Sequence, residues 1–141
     1  VTQLSSNPTA PLEPDVVIRF ADSRRELDAG ETLSASVSVL NADQLECRSA
    51  EVSVVWRTVG KGDEDLEVHF FERLLGDAAA FAEPYLIEAT LPDSPLSYDG
   101  VSVKICWSVR LRLSLGGYRT HVTEAPFRLG AVGAPQAKAP A

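Results

Sequence analysis

Residues 91–113 decide the fold. They read Leu91-Pro92-Asp93-Ser94-Pro95-Leu96-Ser97-Tyr98-Asp99-Gly100, then Val101-Ser102-Val103-Lys104-Ile105-Cys106-Trp107-Ser108-Val109-Arg110-Leu111-Arg112-Leu113. The first half is a stiff loop: its prolines fix φ and lack a backbone donor, and Gly100 supplies a turn. From Val101 the odd positions are apolar and most even positions polar. A period of two is that of a half-buried β-strand, whose successive side chains point to opposite faces. Ile105, Trp107, Val109 and Leu111 are therefore expected in a core, and Lys104, Cys106, Arg110 and Arg112 outside it.

The same pattern recurs along the chain. Asp15 to Phe20 opens the fold. In Thr32 to Leu40, Leu33, Ala35, Val37 and Val39 alternate with Ser34, Ser36 and Ser38. Ala50 to Val59 places Val52, Val54 and Trp56 on one face. The turn-rich Gly60-Lys61-Gly62-Asp63-Glu64-Asp65 links it to Leu66 to Leu75 as a hairpin. Tyr85 to Leu91 is a further strand. Gly116-Gly117 turns Val101 to Leu115 into Tyr118 to Leu129, a second hairpin. Only Gly76 to Ala82 suits a short helix, and it is too brief to stand alone. Many short strands with turn signals and no long helical pattern predict an all-β fold, an antiparallel β-sandwich. The expected core comprises Val37, Val54, Trp56, Ile105, Trp107, Val109 and Leu111. The expected organisation is a disordered lead over 1–14, one sandwich domain over 15–129, and a disordered tail or linker over 130–141.

At 141 residues the chain has the length of one domain, large enough to build a core without a disulfide or metal. Its 45% hydrophobic and 23% charged content is ordinary for a globular protein. A net charge of −7 argues against nonspecific nucleic-acid binding and against adsorption to anionic membranes. No apolar run is long enough to be a transmembrane helix. The chain lacks Met even at position 1, so an excised or processed product with further domains elsewhere is expected.

The order of features resembles the arrestin-like sandwich, the N-terminal-type domain shared by arrestins, retromer Vps26-like subunits and bacterial sporulation-control proteins. The resemblance runs over roughly residues 15 to 129. It rests on Val16-Val17-Ile18-Arg19-Phe20, on Ala29-Gly30-Glu31-Thr32-Leu33, on the aromatic-bearing Val52 to Trp56, and most specifically on Leu91-Pro92, Pro95, Ser97, Tyr98 and Gly100 leading into Lys104 to Val109. It implies an arrestin-like sandwich with immunoglobulin-like topology and a non-enzymatic adaptor role. It supplies no named ligand, because no residue set here matches the phosphate-sensing charges of visual-type arrestins. The competing fold is an immunoglobulin-like domain, for which Cys47, Trp56 and Cys106 stand in the required order. Parity opposes it: Cys106 shares the polar face with Lys104 and Arg110, whereas a bridging cysteine should point inward. The cysteines are expected to be unbridged.

Candidate chemistry is sparse. His69 and His121 are the two histidines, and neither forms a ligand-spaced pair with Cys47 or Cys106. Asp63, Glu64, Asp65 and Glu67 crowd a hairpin tip too short for a dedicated Ca²⁺ loop. No nucleophile elbow is present, and Gly116-Gly117 precedes no helix that could cradle phosphate. Trp56 and Trp107 read as core, with carbohydrate stacking as the sharper alternative. The remaining feature is a basic stripe: Lys104, Arg110 and Arg112 on the outward face of one strand, with Arg119 and Arg128 on the next strand extending it and Glu51 a cross-strand counter-charge. The expectation is a cytoplasmic, non-catalytic protein-binding adaptor or scaffold that docks an acidic protein partner on this stripe and needs no cofactor or metal. The alternative is an extracytoplasmic immunoglobulin-like binding module for carbohydrate.

Overall fold

The computed structural model describes residues 12–60, 62, 64–75 and 83–130. Among them nine strands follow one another: β1 Val16–Phe20, β2 Glu26–Leu27, β3 Thr32–Val39, β4 Cys47–Gly60, β5 Asp65–Leu75, β6 Tyr85–Thr90, β7 Tyr98–Asp99, β8 Val103–Leu115 and β9 Arg119–Leu129. They form two packed sheets. The smaller has the order β1-β3-β6; the larger has the order β2-β9-β8-β4-β5, with β7 beside β8. Pairing is antiparallel except where β2 runs parallel to β9. The expected all-β sandwich is thus the architecture observed, with one parallel bridge added.

Strand alternation builds the core. Leu33, Ala35, Val37 and Val39 of β3 are buried, facing Val52 and Val54 of β4 and Trp107, Val109, Leu111 and Leu113 of β8 across the sandwich. Within the larger sheet Val54 sits opposite Val109, Val52 opposite Leu111, and Trp107 opposite Phe127. Each fully buried side chain of this kind contributes roughly 1.5–3 kcal/mol relative to exposure.

The Leu91–Gly100 loop closes one end. Leu91 is buried, and its N–H donates to the Glu31 carbonyl at 2.9 Å while its own carbonyl accepts from Gly30 N–H at 3.1 Å. Ser97 N–H donates to the Leu129 carbonyl at 2.7 Å, and Leu129 N–H donates back to Ser97 Oγ at 2.8 Å. The buried indole of Trp107 donates its Nε1–H to the Pro95 carbonyl at 2.8 Å. A proline carbonyl suits this role, because its residue brings no N–H that would need its own partner. The Trp107 ring also meets Trp56, Phe127 and His69, with centroids 6.4, 5.9 and 5.9 Å away.

Several expectations are corrected. Trp56 and Ile105 are half-buried rather than core. β4 and β8 are 14 and 13 residues long, whereas the strands facing them have 5, 8 and 6. The long strands outrun the smaller sheet, so side chains near their ends lack a second layer. Residues 101–102 are a bend, not strand, and Gly100 N–H to the Val103 carbonyl closes it at 3.0 Å. β2 and β7 were not foreseen; two-residue bridges carry no periodicity. The fold reaches into the expected lead: Pro14 is buried, and Asn41 Nδ2 donates to the Glu13 carbonyl at 2.9 Å. The expected helix at Gly76 to Ala82, and residues 1–11 and 131–141 of the expected lead and tail, lie outside the described residues.

No disulfide joins the cysteines; Cys47 is buried and Cys106 exposed. Cys47 pairs with Leu115 and Cys106 with Arg57, so some ten residues of β4, roughly 33 Å of strand, separate them. A disulfide requires Cα atoms within about 7 Å. The order Cys–Trp–Cys therefore has no bridging role here.

Two predictions follow from this packing. Trp107→Ala should lower unfolding free energy by about 3–5 kcal/mol in urea titrations, because it removes a buried ring and orphans the Pro95 carbonyl. In thiol titration of unreduced protein, Cys106 should react in the native state and Cys47 only after denaturation.

Candidate functional site

The outer face of the larger sheet gathers the chain's most unusual side chains. Register sets them in rows across β5, β4, β8 and β9. Arg73, Glu51, Arg112 and Val122 make one row; Phe71, Ser53, Arg110 and Glu124 the next; Val68, Val55, Ser108 and Pro126 the third; Leu66, Arg57 and Cys106 the fourth. Laterally paired residues share a face, so these side chains are neighbours by construction.

Two carboxylates anchor the face, each shared by two guanidiniums. Glu124 Oε2 pairs with Arg57 Nη2 through a short contact and lies 3.3 Å from Arg110 Nε, while its Oε1 accepts from Ser108 Oγ at 3.3 Å. Glu51 pairs with Arg112 at 3.2 Å and, more loosely, with Arg73 at 3.7 Å. Four arginines against two glutamates leave a surplus of two positive charges on this face of a chain whose net charge is −7. Arg110 Nε is buried and, among the described residues, makes no hydrogen bond; its contact with Glu124 is a charge contact alone. The long side chains lie along the sheet and cover it, which is why Ser53, Val55 and Ser108 are buried on an outward face.

Apolar side chains border the network. On β5, Leu66, Val68 and Phe71 are 41%, 52% and 52% exposed, and Val122 on β9 is also exposed. A β-bulge causes this arrangement. Val54 pairs with Phe70 but Val55 pairs with Val68, leaving His69 as the extra residue. The bulge sends His69 inward, where its Nε2 meets the Thr90 carbonyl at 2.7 Å, and turns Phe71 outward. Further along β5, Tyr85 Oη donates to Glu72 Oε1 at 2.8 Å. β5 is thereby tied to β6 in the other sheet. The hydrogen bond to Glu72 foremost, then burial and the nearby carboxylate charge, raises the Tyr85 phenol above its ordinary pKa.

Of the expected docking residues, Lys104, Arg110 and Arg112 do share the outward face. Lys104 stands apart at the far end, 3.5 Å from Asp99 in an exposed pair of little energetic weight. Arg119 does not belong with them. It pairs with Leu115, whose side chain is buried, so it lies on the opposite face of the sheet. Arg119 and Arg128 are nine residues apart, an odd spacing that puts them on opposite faces of one strand, and β9 alternates without a break from Arg119 to Phe127. The counter-charge Glu51 stands where expected. Arg57, Arg73 and Glu124, with the apolar border, were missed; each sits on a different strand, and only their parity and the Phe70-Phe71 doublet hint at them.

The remaining candidates disperse. Among the described residues no group of three or more His, Cys, Asp or Glu side chains converges to hold a metal. His121 contacts Thr123 Oγ1 at 2.9 Å and lies 3.7 Å from Glu13. Of the acidic run, Glu64, Asp65 and Glu67 are exposed, and Asp63 is outside the described residues. Trp107 is fully buried and cannot stack on a sugar. Hollows of about 450 and 500 Å³ lie beside β1 and the Asp22–Ser23 turn. Of the arginines lining them, Arg24 pairs with Glu31 at 2.6 Å and Arg25 donates to the Pro126 carbonyl at 3.2 Å. Among the described residues no helix is long and apolar enough to cross a membrane.

No protein-family model and no curated protein matches the chain. The solved structures that match include Spo0M, sporulation control protein, from Bacillus subtilis, at 12% identity and a TM-score of 0.46; the match covers 84% of this chain and 50% of that one. The chain thus spans about half the length of that protein.

The Tyr85–Glu72 tie has a pH signature. A phenol whose folded pKa is raised stabilises the fold fully below its unfolded pKa of about 10 and loses that contribution as pH rises through the folded value. Hydrogen exchange at β5 amides should accordingly quicken above pH 10 more in the parent than in Tyr85→Phe, which lacks the tie throughout.

Proposed function

We propose that this chain is a non-catalytic protein-binding module of arrestin-like type, an adaptor or scaffold, that docks an acidic protein partner on the outer face of its larger sheet. One observation carries the reading: four arginines share two glutamates on that face, a positive island bordered by exposed apolar side chains on an otherwise acidic chain. Arginine supports such a role because its planar fork pairs with carboxylates in a defined geometry. Rim charges of this kind steer association and choose partners more than they add stability. Apolar neighbours supply the desolvated contact that charges alone do not.

Neutralisation tests it. Arg110→Gln with Arg112→Gln leaves Glu124 paired with Arg57 and Glu51 with Arg73, so both carboxylates keep a cation. The double variant should melt within a few degrees of the parent. It should capture much less acidic protein from a lysate of its native cell at low salt, where screening is weakest. Capture of the same proteins, equally and with the same salt dependence, would end the docking assignment.

A further inference from the structure

We propose that the partner engages by strand addition: an extended segment that alternates acidic and apolar residues pairs with the free edge of β5. This rests on the docking reading above and names the form of what docks. β5 ends the sheet order β2-β9-β8-β4-β5, so among the described residues one side of its backbone has no strand beside it. At 11 residues it is the longest edge in the sandwich; β1 has 5 residues, β6 has 6 and β2 has 2. Proteins commonly blunt such an edge with proline, lysine or brevity, because unpaired N–H and C=O groups recruit other chains. Asp65–Leu75 contains neither proline nor lysine, and its outward middle is Leu66, Val68 and Phe71. The bulge at His69 and the inward carboxylates Glu67 and Glu72 are the blunting devices among the described residues, and the bulge leaves regular strand on either side.

The edge is also held in place. His69 and Glu72 tie β5 to Thr90 and Tyr85 of the facing sheet. A strand already ordered loses little entropy when another pairs with it. Charge selects the occupant. Beside Phe71 lies Arg73, 3.7 Å from a Glu51 that is shared with Arg112, and beside Leu66 lies Arg57, which shares Glu124 with Arg110. Carboxylates on the outward side of an added strand would meet this surplus, and its apolar residues, on the opposite side, would extend the inner layer at the part-buried Phe70 and Leu74. A second copy of the chain fits less well. Antiparallel self-pairing centred on β5 matches Val68 with Phe71 but sets Glu67 of one copy against Glu72 of the other, like charges directly opposed.

The test uses a labelled eight-residue peptide alternating Glu with Val and Phe, and the same peptide N-methylated at every second residue to remove ladder donors. Anisotropy at low salt measures affinity, and amide exchange of the full chain locates the contact. The parent should bind the plain peptide and slow exchange within 65–75. N-methylation should weaken binding about tenfold or more, the worth of one or two net hydrogen bonds. If both peptides bind the parent equally, while Arg110→Gln with Arg112→Gln abolishes binding, strand addition is overturned and the docking face stands. If neither peptide binds the parent, both readings fall.

Discussion

The hydrogen bond from the Trp107 indole to the Pro95 carbonyl ties β8 to the loop that precedes it. The ring occupies the middle of β8, the strand that pairs with β4, β9 and β7. Its burial leaves one N–H needing a partner, and a buried donor without one costs about 1–3 kcal/mol. The Leu91–Gly100 loop supplies that partner, and the loop's other hydrogen bonds reach Gly30 and Glu31 on one side and Leu129 on the other. Seating the loop thus fixes the end of β9, the start of β3 and the rotamer of the largest core side chain together.

What this core leaves outside follows from strand length. β4 and β8 extend beyond the smaller sheet, so the larger sheet has an outer face broad enough for four rows of side chains. Arginine can lie flat on such a face, covering Val55 with its methylenes while its guanidinium stays near water. Two shared carboxylates hold the guanidiniums in place without neutralising them. Partial exposure and sharing keep each pair modest in energy. The surplus charge is therefore available to a partner, whereas a one-to-one network would have cancelled it.

The bulge at His69 links this surface to the core. One extra residue reverses the alternation of β5, so a histidine turns inward to Thr90 and Trp107 while Phe71 turns to solvent. An unbulged strand would have placed either the histidine or the following aromatics differently. The clamp that orders the edge strand and the apolar rim beside the arginines thus have a single geometric origin.

The sequence by itself determined the layers. Period-two alternation in β3, β4 and β8 identifies the inward residues, since side-chain direction alternates without exception in a regular strand. The same parity placed Lys104, Arg110 and Arg112 outside and kept the cysteines apart. Tertiary structure alone decided where alternation breaks and where layers end. Trp56 and Ile105 are half-buried because the facing strands are shorter, which no local pattern encodes. Arg119 lies on the inner face because pairing sets it opposite the buried Leu115, a register that only the built hairpin fixes. The grouping of Arg57, Arg73 and Glu124 with the stripe depends on register between strands far apart in sequence. Cross-strand register is set by pairing and by a bulge, and neither is visible in any one strand read alone.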